Sequence, residues 1–164
     1  LGVFAVPGNH DRGLLDREGP SAQALRAAGI DLLQDEHRIL EGRLALVGRD
    51  DARRRGDTRK TIAELLEPLD PKLPILLVDH QPLDLDLAAA AGVDLILAGH
   101  THGGQVFPAT LITPLIYGND HGVSTHDELQ LVVSAGYGTW GPDVRIGTTS
   151  EVVELRLRFS SAGP

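Results

Sequence analysis

Three short stretches carry the side chains best suited to chemistry: Asn9, His10 and Asp11 in GNHD, His80 in LLVDHQP, and His100 with His102 in GHTHGGQ. Imidazole nitrogens, an amide oxygen and carboxylates are donors for Mn, Fe or Zn. The chain has no cysteine, so any metal must be held by N and O atoms. His100 and His102 stand two residues apart, a spacing that in extended backbone turns both rings to one face, with Gly99, Gly103 and Gly104 allowing a tight bend around them. Alone, an H-x-H pair reads equally well as two surface histidines. Its weight comes from recurrence, because each of the three stretches closes an apolar run that reads as a strand.

Those runs are Gly2 to Val6, ended by Pro7 and Gly8; ILLV after Pro74; and DLILAG before His100. Short continuous apolar runs suit strands covered on both faces, and open α/β sheets bind ligands beyond the carboxyl ends of their strands. Helices are expected between them. The stretch SAQALRAAG starts at the candidate N-cap Ser21 and stops at Gly29; Thr61 and Glu64 have the spacing of a capping box, with Pro68 as terminator; DLDLAAAAG has an acidic first turn and a glycine stop. DLLQDEHRIL and RLALVG flank Glu41 and Gly42 as a hairpin would. Beyond Pro114 the pattern favours strands in ELQLVVSAG, GTWGPDVRIG and EVVELRLRF. Alternation of strands and helices followed by strand-rich sequence points to an α/β sandwich without repeats.

At 164 residues, with 41% hydrophobic and 23% charged residues, the composition is that of one globular domain. No apolar run approaches the roughly 20 residues of a membrane span. A formal net charge of -8 repels phosphate backbones, so nucleic-acid binding is not expected. The chain opens without methionine on Leu1, already inside an apolar strand, which reads as an N-terminally truncated protein.

Taken in order, GNHD at residues 8–11, His80 in LLVDHQP and GHTHGGQ at 99–105 resemble the last three blocks of the calcineurin-like metallophosphoesterases. With GTWGP, the resemblance is to the bacterial branch, many of whose members carry an N-terminal membrane anchor or export signal, and it extends over nearly the whole chain. It implies a four-layer αββα sandwich, of which residues 1–159 would be the C-terminal portion of a single domain and 160–164 a frayed tail. It also implies phosphoester hydrolysis with two divalent metal ions (Mn, Fe or Zn) and a bridging water that attacks phosphorus in line. Residue by residue, Asn9, His80 and His100 match ligands of one ion and His102 a ligand of the other. His10 matches the non-ligand histidine that protonates or stabilises the leaving oxygen, and Asp11 the carboxylate that orients it.

The family's remaining ligands lie in an Asp-x-His and a Gly-Asp-x-x-Asp block that precede GNHD. The segment alone is therefore expected to be inactive and prone to self-association, and the alternative reading is a non-catalytic, metal-binding remnant. A zinc hydrolase with an HxHxD block fits less well, since Gly103 and Gly104 follow His102. The partner implied is a phosphoester substrate, with membrane association only through a missing N-terminal segment. Blander readings are preferred elsewhere: surface or loop positions for His37, His121 and His126, solvation for Arg53, Arg54 and Arg55, packing or ion pairing for Arg145, turn caps for Asp50 and Asp51, and core or loop anchoring for Trp140 and Tyr117.

Overall fold

The computed structural model describes residues 2–11, 15, 19–51 and 59–159. Its main body is a six-stranded mixed sheet. Strands β3 (Glu36–Leu40), β4 (Leu44–Gly48), β5 (Ile75–Val78), β6 (Leu95–Ala98), β7 (Gly122–His126) and β8 (Leu129–Val133) are arranged in the order β3-β4-β5-β6-β8-β7. The four central strands β4, β5, β6 and β8 run parallel, and an antiparallel strand closes each edge. A second, smaller sheet pairs β1 (Val3–Ala5) in parallel with β2 (Ile30–Leu32).

Both faces of the large sheet are covered, which is why its central strands read as unbroken apolar runs. One face packs Val47, Leu77, Ile96 and Leu131 against α2 (Ile62–Leu66) and α3 (Leu85–Ala90) through Ile62, Leu65 and Ala88. The opposite face packs Leu46, Leu76, Leu95 and Val132 against Leu33, with Phe4 and Val6 from the small-sheet side. Helix α1 (Pro20–Ala27) contacts β2. The result is the mixed α/β sandwich expected, a six-stranded sheet flanked by helices with a second sheet against it.

Local chemistry explains most element ends. Thr61 caps α2 with the full reciprocal box: its hydroxyl accepts from Glu64 N at 3.2 Å while the Glu64 carboxylate accepts from Thr61 N at 2.8 Å. The β3–β4 hairpin turns through Glu41 and Gly42, both at positive φ (52° and 67°), the backbone that matches the twist of the flanking strands. The N-cap of α1 is Gly19 instead of Ser21, because Pro20 occupies the first helical position where its missing N–H costs nothing. DLLQDEHRIL is divided, its first residues joining β1 in the small sheet and its last forming β3.

The C-terminal third departs from its sequence pattern. Only ELQLVVSAG yields a strand, β8, joined by an unforeseen β7; GTWGPDVRIG contributes a single bridge between Val106 and Ile146. Residues 151–159 form no strand, although EVVELRLRF nearly alternates, and Val152 is 86% exposed. Alternation marks a face that could be buried, but a strand also needs a hydrogen-bonding neighbour, and none of the described strands pairs with this segment.

The small-sheet side packs tightly against Gly48 at the end of β4. A Cβ there would overlap Leu33 Cβ and lie 3.0 Å from Val6 Cγ1, so the glycine is required by space. Gly48→Ala is expected to destabilise the fold by about 1–3 kcal/mol through overpacking, measured as a lowered urea midpoint with unchanged slope.

Candidate functional site

The carboxyl ends of β1, β5 and β6 converge, and they come from both sheets. Asn9 follows β1 in the small sheet; His80 and His100 follow β5 and β6 in the large one. Asn9 Oδ1 lies 2.8 Å from His80 Nε2, which lies 3.1 Å from His100 Nδ1. The two imidazoles meet edge to face with centroids 4.9 Å apart, and Tyr117 stands edge-on to His100 at 5.9 Å. These residues line a cavity of about 350 Å³ together with His10, His102, Gln105 and Trp140.

The donor set fits a cation. Asn9 Oδ1 and His100 Nδ1 both approach His80 Nε2, and a single proton there would have to serve both neighbours; otherwise one contact sets two lone pairs face to face. Adjacent donors on an octahedral ion with bonds of about 2.1 Å are about 3.0 Å apart, close to the two observed separations. Burial holds His80 below the ordinary imidazole range, against the opposing pull of Asp51, Asp79 and Asp11, which favours the neutral ring a metal needs. Among the described residues no three His, Cys, Asp or Glu side chains group as a metal cluster, so an ion here would rely on the amide of Asn9 and on further donors.

His102 reaches the same cavity by a different backbone from the one expected. His100 and His102 both have positive φ (71° and 52°) around a helical Thr101, so the stretch is a tight bend and extended alternation is not what brings the rings together. Arg145 grips this bend, contacting His102 Nδ1 and the His102 carbonyl at 3.3 Å each and donating to the Ala135 carbonyl at 2.7 Å. Burial, then Arg145, His80 and His10, lower the His102 pKa. Arg145 is thus a packing residue, as expected, but one that packs the site itself.

His10 is exposed at the cavity wall. Asp11 accepts from Gly8 N at 2.8 Å and its own N–H donates to the Gly8 carbonyl at 3.0 Å, which closes the GNHD turn. The observed carboxylate bond is therefore to the backbone that carries His10. Gly8 itself must lack a side chain, since a Cβ would sit 2.9–3.1 Å from the His80 ring.

Several supporting residues lie in or beside the motifs with roles that the spacing did not reveal. Gln105, buried, accepts from Trp140 N and donates to Trp140 O, each at 2.6 Å, joining GHTHGGQ to GTWGP by its amide; Trp140 is anchored by its backbone while its indole stays exposed. Gln81 donates to Asp51 at 2.8 Å, so Asp51 does more than cap a turn. His121 and His126 bond the carboxylates of Glu151 and Asp86 away from this cavity. Arg53, Arg54 and Arg55, like 160–164, lie outside the described residues.

Behind His80 the HQP turn is fastened by charge. Asp79, nearly fully buried, receives Arg59 at 2.8 Å and Arg49 at 3.2 Å, and both guanidiniums also reach Asp84. Burial pushes the Asp79 carboxyl up, and Arg59 and Arg49 pull it back. Arg49→Met removes one of two counter-charges from a buried carboxylate. It is expected to cost about 3 kcal/mol, read from urea unfolding, and the loss should be recovered in large part by a second change, Asp79→Asn.

Comparison with known proteins shows which family the chain resembles. The family model for the calcineurin-like phosphoesterases matches residues 1–104. A metallophosphoesterase of Helicobacter pylori strain J99 is 36% identical over 162 aligned residues, covering 95% of this chain and 42% of the relative. One from Aquifex aeolicus is 36% identical over 168, covering 96% and 61%. A zebrafish (Danio rerio) relative named a transmembrane protein with metallophosphoesterase domain is 30% identical over 171, covering 96% and 39%. The chain thus spans about two fifths of the length of the Helicobacter and zebrafish relatives. No solved structure matches it.

Proposed function

The chain belongs to the calcineurin-like phosphoesterase family, and from that premise we propose that it carries part of a dinuclear phosphoester hydrolase site. The observation that supports this most is the meeting of Asn9 Oδ1, His80 Nε2 and His100 Nδ1 within 3.1 Å contacts. In this reading those three hold one ion and His102 contributes to a second. Two divalent ions (Mn, Fe or Zn) would supply charge to hold a phosphoryl group and acidify the water that attacks it in line.

The chain's own residues do the rest. Asp79, clamped by Arg49 and Arg59, fixes the turn on which His80 projects. Gln105 and Arg145 hold the bend that carries His100 and His102. His10, exposed at the cavity wall, is placed to give a proton from its imidazole to the departing oxygen, and Asp11 positions it by closing the turn around it. The zebrafish relative's name attaches this kind of domain to a membrane protein, which suits a phosphoester met at or near a membrane. The other donors a complete dinuclear site needs are part of this proposal, to be looked for in the protein that contains this chain.

The test is a Mn²⁺ titration by calorimetry, with hydrolysis of nitrophenyl and alkyl phosphates followed in the same samples. His80→Ala and His100→Ala are each expected to lose one bound equivalent. Unchanged stoichiometry in both would overturn the ligand assignment, and metal binding without turnover in the full-length protein would leave a binding module. His10→Asn is expected to slow alkyl phosphates, whose leaving groups need a proton, by about 10²-fold or more and nitrophenyl esters far less. An equal loss on both would remove the acid role.

A further inference from the structure

Two kinds of residue line the cavity. Asn9 and the four histidines are one; Gln105, Ala109, Thr113, Ile116, Tyr117 and Trp140 make up most of the rest. Among the described residues that line it there is no Asp, Glu, Lys or Arg. Tyr117 ends helix α4 (Thr113–Tyr117) and stands edge-on to His100, so the aromatic lining begins beside a proposed metal donor. The chain has one Trp and two Tyr, and the Trp and one Tyr are both in this lining. Trp140 is 58% exposed, which by itself does not distinguish it, since Tyr137 is 78% exposed. What sets it apart is how it is held. Trp140 N–H donates to Gln105 Oε1 and the Trp140 carbonyl accepts from Gln105 Nε2, each at 2.6 Å, while Nε2 also reaches the Pro142 carbonyl at 3.2 Å. Gln105 is buried and belongs to the same GHTHGGQ bend as His100 and His102. The main chain of Trp140 is thus tied to the donors, and its indole is left uncovered at the cavity.

We propose that the Trp140 indole is a specificity-determining side chain, on which the organic group of the phosphoester stacks as a flat, uncharged ring; this rests on the phosphoester reading above. Position, charge and shape each favour it. A phosphoryl group held at the histidines carries its organic group into the remainder of a cavity of about 350 Å³, so what meets Trp140 is the part of the substrate bonded to phosphorus. A second phosphate, a carboxylate or an ammonium on that group would be buried against a lining that offers no counter-charge among its described residues. An alkyl chain is served by any apolar wall, whereas an indole offers a flat face that gains from a flat partner beyond the area covered. Anchoring by Gln105 means that little of this gain is lost to ordering the loop when a ring arrives.

The test compares phenylphosphonate with cyclohexylphosphonate, which match in charge and nearly in size and differ in flatness. Binding of each to Zn²⁺-loaded protein is measured by calorimetry, beside hydrolysis of phenyl and cyclohexyl phosphate in the same samples. The wild type is expected to bind phenylphosphonate about fivefold or more tightly than the cyclohexyl compound. Trp140 is the only tryptophan of the chain, so its fluorescence should change as phenylphosphonate binds, with the same Kd. Trp140→Ala is expected to narrow the preference to less than about twofold and Trp140→Phe to keep most of it. Tyr137→Ala, at a more exposed aromatic that does not line the cavity, should leave the preference as in the wild type. The proposal is overturned if the wild type binds both phosphonates equally or binds neither, if Trp140→Ala keeps the preference, or if the fluorescence does not change at saturation. A phenyl preference that depends on Trp140, in a protein that hydrolyses neither ester, would keep the ring seat and remove the hydrolase reading. Hydrolysis of both esters with equal binding of the two phosphonates would do the reverse.

Discussion

The candidate site depends on how closely two sheets can approach. Asn9 leaves the small sheet and His80 and His100 leave the large one, so the donors meet only if the layers hold their spacing at that edge. Two glycines set it. Gly48 lets the end of β4 lie against Leu33 and Val6, and Gly8 lets the GNHD turn lie against the His80 ring. A methyl group at either place would press the backbone away from the side chain it meets, and the two contacts near 3 Å tolerate little such movement. The packing of the sandwich and the geometry of the donors are therefore one constraint.

The distribution of charge follows from what surrounds that edge. The described arginines nearest the site are spent on the protein: Arg49 and Arg59 on Asp79 and Asp84, Arg145 on carbonyls and His102. Meanwhile Asp11, Asp51 and Asp79 all act on His80, and burial keeps that ring neutral against them. Neutral donors backed by carboxylates make a cavity that attracts cations. An anionic substrate would be repelled by such a pocket unless cations already occupied it, which ties the proposed chemistry to metal loading.

Much of this was legible in the sequence because strand ends leave simple marks. An apolar run broken by GNHD, DHQP or GHTH places polar side chains at a carboxyl edge whatever the details of packing, and the capping box of α2 and the Glu41-Gly42 turn are equally local. What escaped depends on long-range pairing. The Gln105 clamp on Trp140, the Gln81–Asp51 bond and the Asp79 ion pairs join residues 20 or more apart, and amide and guanidinium groups of that kind carry no spacing rule. His100 and His102 line one cavity through a bend at positive φ, where the spacing had suggested extended backbone. EVVELRLRF failed in the opposite sense: its pattern is that of a strand, but a ladder needs a neighbour that no pattern within the segment supplies.

The same contrast separates the two sides of the cavity. His80 and His100 stand at the ends of central parallel strands, with Asp79 N bonded to Leu97 O and Gly99 N to His80 O, so moving either donor disturbs the ladder of the large sheet. The rim from Phe107 to Tyr117 has only a 3₁₀ turn and one short helix, pinned by Gln105 at one end and by Thr113 on Asp120 at the other. Its outward side chains contribute little to the core. The donors are thus held by the ladder of the large sheet, whereas the wall beside them is held by side-chain clamps on a loop, so the two sides of the cavity answer to different constraints.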